Sequence, residues 1–308
     1  MDKEQPKLIF FVGLLGILIL VDFSLWQDLK SYPSEKTVGR QVATETASVM
    51  QNLVLPTPEL LAHIYYVRFI GNTDPILKQR EWKIFAPASL TKILSAVLVY
   101  DFLMPSAEIS ISEQAQSIGE KISGVRPGEI FFRDDLLKFV LISSANDATM
   151  ALAENIGKNY GPKNIEDPIE RFASLMNDKA SRLGMRNSHF VNPTGLDADG
   201  HYSTAEDLAV LAEYTLKKYP QLWAVTRMIE TEVLSQEGKP YVIANTNFLL
   251  KEYPAIFGGK TGLTDRAGGA LILLYPVKSG KIAVIVILGS ENRFNDGRKI
   301  IQWIEENF

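Results

Sequence analysis

The sequence predicts an α+β domain in which one antiparallel sheet is assembled from both ends of the chain and a helical lobe is inserted between them. Three observations carry that prediction. β-Branched and aromatic runs cluster before residue 85 and again between residues 227 and 288. Apolar residues recur at helical spacing through about residues 134–218, and a closing segment carries Ile300, Trp303 and Ile304 on one helix face. Strands on both sides of a helical middle pair with one another most simply when the middle is set aside as its own layer.

Taken in order, residues 62–70 read as a strand, Gly71-Asn72-Thr73-Asp74 as a turn, and residues 76–85 as the second arm of a hairpin. Leu90, Ile93, Leu94, Val97 and Leu98 fall at i, i+3, i+4, i+7 and i+8, one apolar helix face. After the helical middle come three strand-like runs, residues 227–234, 267–277 and 282–288, and then the closing helix.

The composition excludes several classes of function. The chain has 308 residues, 46% apolar and 22% charged, a globular mixture. Its net charge of −4 leaves no basic excess to neutralise a phosphate backbone, so nucleic acid is not an expected partner. With no cysteine, disulfides, thiolate nucleophiles and iron–sulfur clusters are removed together. His63, His189 and His201 are too few and too scattered for a His-rich metal site, and no metal is expected. Asp197-Ala198-Asp199-Gly200 resembles the start of a calcium loop but lacks its later ligands, so a turn is expected there.

The amino terminus carries an unbroken apolar run at residues 8–21, which at ~1.5 Å per residue reaches roughly 21 Å, short of a ~30 Å hydrocarbon core. Phe23, Leu25 and Trp26 extend it, and no small-x-small cleavage site follows. Residues 1–30 are therefore expected to be a membrane anchor or export signal, with an uncleaved anchor preferred. The polar residues 31–58 are read as a tether and residues 59–308 as the globular domain. The bulk of the chain is then expected outside the cytoplasmic membrane, held to it by the amino-terminal segment.

Three short motifs carry chemistry. In Ser89-Leu90-Thr91-Lys92 the i, i+3 spacing puts serine and lysine on one helical face. A serine hydroxyl is a weak nucleophile that needs a base within hydrogen-bond reach, and a lysine relieved of its proton can serve. Lys92 also stands between core positions, which restrains it from pointing into water. Ser144-Ala145-Asn146, between two helices, reads either as a capping turn, with Asn146 or Asp147 as the cap, or as a hydroxyl and an amide that line a site. Gly258-Gly259-Lys260-Thr261-Gly262 matches the end of a phosphate loop, but Pro254 stands where that motif needs glycine. The remaining reading is a strand edge against which a peptide can lie, with Lys260 and Thr261 facing a carboxylate.

Together, S-x-x-K, S-x-N and K-T-G in this order resemble the set found in penicillin-binding proteins and serine β-lactamases. The chain is similar to the D-alanyl-D-alanine carboxypeptidases, the low-molecular-weight penicillin-binding proteins. The likeness extends through Phe190-Val191-Asn192-Pro193-Thr194-Gly195-Leu196-Asp197, through His201-Tyr202-Ser203-Thr204, and through Asn245-Thr246-Asn247. It implies a penicillin-binding protein/serine β-lactamase-like fold with its site where sheet and helical lobe meet. By the same resemblance Ser89 is the acylated nucleophile, Lys92 its base and Ser144 a proton carrier to the leaving amine. Asn146, Lys260, Thr261, Gly262 and Leu263 bind substrate, with the backbone N–H groups of Ser89 and Leu263 as the oxyanion hole. Two lysines converging on one cleft disfavour each other's charge, which helps Lys92 act as a neutral base. The implied partners are peptidoglycan stem peptides and β-lactams, the latter as covalent inhibitors, and no cofactor is needed.

Two departures stand out. Leu263 occupies a position where many relatives carry histidine or tyrosine. The chain ends about 46 residues after Gly262, which leaves any membrane holding to the amino-terminal segment. Among alternatives, the E-x-x-L-N arrangement of class A β-lactamases is not formed by Glu166, Glu170 and Asn177. A non-catalytic wall-binding protein would be expected to lose a motif residue, and none is lost. A D,D-endopeptidase would use the same residues on a cross-linked substrate, and His201 is expected to be structural because Lys92 already supplies the base.

Overall fold

A computed structural model of the chain describes residues 55–119 and 123–308. The anchor and tether read from the sequence lie, up to residue 54, outside the described residues. Among the described residues no helix is long and apolar enough to cross a membrane.

The sheet forms because apolar β-branched runs from the two chain ends each need two covered faces. β1 (Ile64–Phe69) and the short β2 (Leu77–Gln79) open it. β7 (Gly258–Thr264), β8 (Gly268–Pro276) and β9 (Ile282–Ser290) complete it in the order β2-β1-β9-β8-β7, all neighbours antiparallel. β1 pairs with β9 from Ile64 opposite Leu288 to Phe69 opposite Ala283, so the first and last strands meet at the centre and β7 is left as an edge.

Between the two groups of strands lies the helical lobe. Its elements are α1 (Thr91–Phe102), β3 (Glu108–Ser110), α2 (Glu113–Gln116), β4 (Ile130–Phe132), α3 (Arg133–Lys138), α4 (Asn146–Asn159), α5 (Pro168–Arg182), α6 (Ala205–Lys218) and α7 (Pro220–Thr226). β5 (Glu230–Leu234), β6 (Pro240–Ala244) and α8 (Leu249–Glu252) lead to β7, and α9 (Arg293–Asn307) closes the chain. Helix starts follow capping chemistry: Asp167 accepts from Ile169 N and Glu170 N with Pro168 at the first helical position of α5, and Ser112, Thr204 and Asn292 cap α2, α6 and α9.

Three sequence expectations are corrected and one is met. The second hairpin arm is not a strand across residues 76–85: pairing with β1 stops at Gln79, and Phe85 instead bridges Ser203. Residues 227–234 do not join the main sheet; β5 pairs with β6 in a separate two-stranded ribbon. The glycine-rich run before residue 267 is strand β7 at the sheet edge, as the strand-edge reading expects. Finally α1 is no one-faced helix, because every residue from Thr91 to Val99 is buried. A helix apolar all round belongs at the centre of a domain, and α1 sits there with its polar side chains satisfied by the segment that wraps it: Ser95 Oγ donates to Pro193 O at 2.6 Å and Thr91 Oγ1 pairs with His201 Nε2 at 2.9 Å.

Candidate active site

Ser89 lies in a tight turn, Ala88–Leu90, immediately before α1, and Lys92 is the second residue of that helix. Lys92 has no solvent exposure, and its Nζ lies 3.0 Å from Ser89 Oγ, 2.7 Å from Asn146 Oδ1 and 2.6 Å from Thr194 O. A tetrahedral nitrogen held by two carbonyl oxygens has its remaining direction fixed, and here that direction is the serine hydroxyl. With two N–H bonds given to Asn146 and Thr194, a neutral amine would present its lone pair to Ser89 Oγ–H. This is the contact that a base needs with its nucleophile.

Asn146 begins α4, reached through a π-turn, Phe139–Ser143, and then Ser144 in the left-handed conformation (φ 64°, ψ 31°). Neither Asn146 nor Asp147 caps that helix: Ala145 occupies the cap position with no side-chain bond. The two polar side chains are thereby released for other work. Asn146 meets Lys92, while Asp147 accepts from Ser123 N, Ser123 Oγ and Ala148 N at 2.7–2.8 Å. A non-glycine residue at positive φ costs about 1–3 kcal/mol and persists where the surroundings over-determine it. Ser144 is fully buried and receives a hydrogen bond from Lys260 Nζ at 2.8 Å. Ala88, next to Ser89, is likewise held at φ 49°.

β7 supplies the opposite wall. Lys260 and Gly262 face the helical lobe, whereas Thr261 Oγ1 pairs with Thr246 Oγ1 at 2.6 Å. Gly262 has to be glycine: a Cβ there would stand 2.8 Å from Ala88 Cβ and 3.0 Å from Ser89 N. Gly259 N donates away from the sheet, to Thr226 Oγ1 at 3.1 Å. With the two-residue period of a strand, the N–H groups of Thr261 and Leu263 face the same open edge. The Leu263 N–H, two bonds from the Gly262 Cα, therefore flanks the same small volume as Ser89 N, while the Leu263 side chain is 49% exposed.

Ser89, Lys92, Ser144, Asn146, Lys260, Thr261 and Gly262 are thus gathered at the seam between β7 and the lobe; Leu263 joins through its backbone. Three contributors carried no catalytic signal in the sequence. Thr194 acts through its carbonyl, at a turn in which Asn192 Oδ1 accepts from Thr194 N, Thr194 Oγ1 and Gly195 N. Gly195 (φ +83°) lets that turn approach the turn that carries Ser89, since a Cβ would fall 1.8 Å from Ala88 O. Thr246, like Thr194 and Gly195, entered the sequence reading only through the family likeness.

His201 is structural. Its Nδ1 accepts from Val191 N at 3.2 Å, which leaves the ring proton on Nε2 toward Thr91 Oγ1, and burial pulls its pKa down to about 4. Asp197 ties the same segment to the end of β7, accepting from Thr264 Oγ1 and Arg266 N at 2.7 and 2.9 Å. Asn177 is taken up by Phe190 N and Phe190 O, and Glu166 and Glu170 are exposed.

A buried serine–lysine pair on a helix, faced by a lysine–threonine edge strand, defines a penicillin-binding class of protein, and the fold agrees. The chain resembles the Streptomyces K15 DD-transpeptidase with a TM-score of 0.73 at 24% identity, covering 80% of this chain and 98% of that one. It matches the D-alanyl-D-alanine carboxypeptidase family over residues 64–292 and belongs to that family. Among relatives, the D-alanyl-D-alanine carboxypeptidase DacF of Bacillus subtilis is 36% identical over 211 residues, 67% of this chain and 51% of that protein. A D-alanyl-D-alanine endopeptidase of Pseudomonas aeruginosa is 33% identical over 243 residues, 76% of this chain and 74% of that protein. The chain spans about half the length of the Bacillus relative.

Proposed function

We propose that the protein is a serine D-alanyl-D-alanine carboxypeptidase that removes the terminal D-alanine from peptidoglycan pentapeptide stems through an acyl-enzyme on Ser89. The observation that carries the reading is the Lys92 amine, held at 3.0 Å from Ser89 Oγ by two carbonyl oxygens.

In the first half-reaction Ser89 Oγ attacks the carbonyl of the penultimate D-alanine and Lys92 Nζ takes the hydroxyl proton. The negative charge that develops on the carbonyl oxygen is met by the N–H groups of Ser89 and Leu263; one such donor contributes ~2.7–4 kcal/mol in comparable enzymes. Asn146 holds Lys92 and offers its amide to the acyl chain. Lys260, with the Thr261 hydroxyl, meets the terminal carboxylate, and Ser144 hands a proton to the departing amine nitrogen as the proton taken up by Lys92 replaces it, which leaves Lys92 neutral again. Water then attacks the ester, Lys92 accepts its proton and returns it to Ser89 Oγ as the ester C–O bond breaks, and Ser89 is regenerated. A β-lactam enters the same sequence and stays as the acyl group, since ring opening leaves the leaving nitrogen attached.

The test is labelling of residues 37–308 by a fluorescent penicillin, with intact mass, alongside D-alanine release from a pentapeptide. One acyl group on the wild type, absent from Ser89→Ala and Lys92→Ala, is expected; unchanged labelling of folded Ser89→Ala would sink the assignment. A second reading, a D,D-endopeptidase acting on cross-links, draws on the Pseudomonas relative, of which this chain covers a larger share than of the Bacillus carboxypeptidase. Cleavage of a cross-linked muropeptide dimer faster than a pentapeptide would favour it. The site is proposed to work outside the cytoplasmic membrane, tethered by the apolar amino-terminal run at residues 8–21. Recovery of the full chain in the soluble fraction after lysis would count against the tether.

A further inference from the structure

We propose that the loop formed by residues 80–84 is a membrane contact made by the domain itself. Trp82 and Ile84 enter the headgroup layer of an anionic leaflet, and Arg80 and Lys83 meet its phosphates. The inference is independent of the acyl-transfer reading and rests on the tether proposed above, to which it adds a second point of attachment.

The loop holds its apolar side chains outward. β2 ends at Gln79, and Lys83 N donates to Arg80 O at 2.9 Å, closing a turn with Arg80 at φ 50°. Glu81 is folded inward and buried, its carbonyl accepting from Glu206 N and its carboxylate paired with Lys78 Nζ at 2.8 Å. Its neighbours are left outside: Trp82 is 63% exposed and Ile84 51%. An exposed apolar cluster rimmed by charge marks a surface that something else covers. Tryptophan favours the bilayer interface, where its ring meets acyl chains and its N–H meets headgroups.

Charge and position choose the cover. The loop and the end of β2 carry Lys78, Arg80 and Lys83 against one acid, Glu81, which Lys78 already neutralises. Among the described residues no ion pair holds Arg80 or Lys83. Asp199, which lines the same cavity as Ile84, is taken by Arg266. Two spare cations flanking an exposed tryptophan suit an anionic lipid surface, where each basic residue favours the bound state by about fivefold. The position agrees. Gln79 Nε2 donates to His63 O at 3.2 Å, and a Cβ on Gly289 would meet both the Phe85 ring and His63 Cβ, at 3.1 and 3.2 Å. The loop therefore lies at the end of the sheet where the chain that carries the apolar run at residues 8–21 enters β1. Leu61, on that entering segment, is also exposed.

The test uses the full chain with Trp26→Phe, which leaves Trp82 as the exposed tryptophan of the domain because Trp223 and Trp303 are buried. It is reconstituted in vesicles of brominated phosphatidylcholine, with or without one-third phosphatidylglycerol. Flotation reports attachment. Quenching of Trp82 by the brominated chains, taken against the same protein with Trp82→Phe, reports contact. On anionic vesicles Trp82 should be quenched and shielded from acrylamide. Arg80→Gln with Lys83→Gln, its fold checked by circular dichroism, should lower the ratio of docked to free loop by about twentyfold, and high salt should act in the same direction. Protein that floats with Trp82 unquenched and open to acrylamide overturns the contact and leaves the tether standing, whereas protein that does not float removes both. Equal quenching on neutral and anionic vesicles overturns the pairing with phosphates. Acrylamide shielding that grows with protein concentration in the absence of lipid assigns the loop to a second copy of the chain and overturns the membrane contact as well.

Discussion

Gly262→Ala tests the approach of β7 to the nucleophile's backbone. The added Cβ would stand 2.8 Å from Ala88 Cβ and 3.0 Å from Ser89 N, whereas ordinary contact begins at 3.4 Å, so strand and turn must separate by about 0.6 Å. Neither neighbour yields easily. Ala88 is already at φ 49° and is pressed from its other side by the Gly195 turn, and Gly262 is paired with Ala270 inside the sheet. Overpacking of this kind costs about 1–3 kcal/mol, and at ~2–4 °C per kcal/mol for a domain of this size the melting temperature falls by several degrees while the protein stays folded. The larger effect is on catalysis. The separation moves the Leu263 N–H relative to Ser89 N, and losing one oxyanion donor lowers kcat by about 10²–10³. The assay is the second-order rate of acylation by a fluorescent penicillin, read with kcat and KM for D-alanine release and with circular dichroism. A folded variant acylated within about threefold of wild type would refute the reasoning, since two donors set by that approach cannot be displaced so cheaply.

Other perturbations probe separate parts of the same structure. Asn146→Ala removes one of the two carbonyl restraints on Lys92, and kcat/KM should fall by about 10²-fold; a loss under threefold in a peptide hydrolysis assay would show that Thr194 O alone suffices. His201, with a folded pKa of about 4 against 6.5 unfolded, is neutral in the native state, so the unfolded chain takes the proton first as pH falls. Its contribution is complete above about pH 6.5 and disappears toward pH 4, a swing of about 3 kcal/mol. Urea titrations of wild type and His201→Gln across that range should therefore converge, and parallel curves would contradict the buried neutral ring. Asp147→Ala strands the N–H and hydroxyl donors of Ser123 and Ala148 N; a loss of about 3 kcal/mol is expected in chemical unfolding, and an unchanged midpoint would show that these bonds are replaced by water.

Much of the site was legible because its chemistry is carried by side chains at short fixed spacings. Ser89 and Lys92 share a helical face whatever surrounds them, and Lys260-Thr261-Gly262 reads as an edge once Pro254 rules out a phosphate loop. The strands at the two chain ends were legible for the same local reason: β-branched and aromatic residues in short runs suit a pleated surface. What failed was everything decided by a partner far along the chain. The second hairpin arm stops at Gln79 because Phe85 is taken by Ser203, more than a hundred residues away. The ribbon of β5 and β6 reads like any other pair of strands, and only packing keeps it out of the main sheet. Periodicity marked α1 as apolar but could not say that it is covered on every side.

Sequence alone therefore pointed to the side chains proposed to do the chemistry, since serine, lysine and asparagine differ in what they can donate and accept. Tertiary structure decided which backbone atoms join them: the Thr194 carbonyl on Lys92, the Ser89 and Leu263 N–H groups flanking one volume, and the left-handed turn at Ser144. Every residue carries the same carbonyl, and all but proline the same N–H. A backbone group acquires a role only from what the fold brings against it.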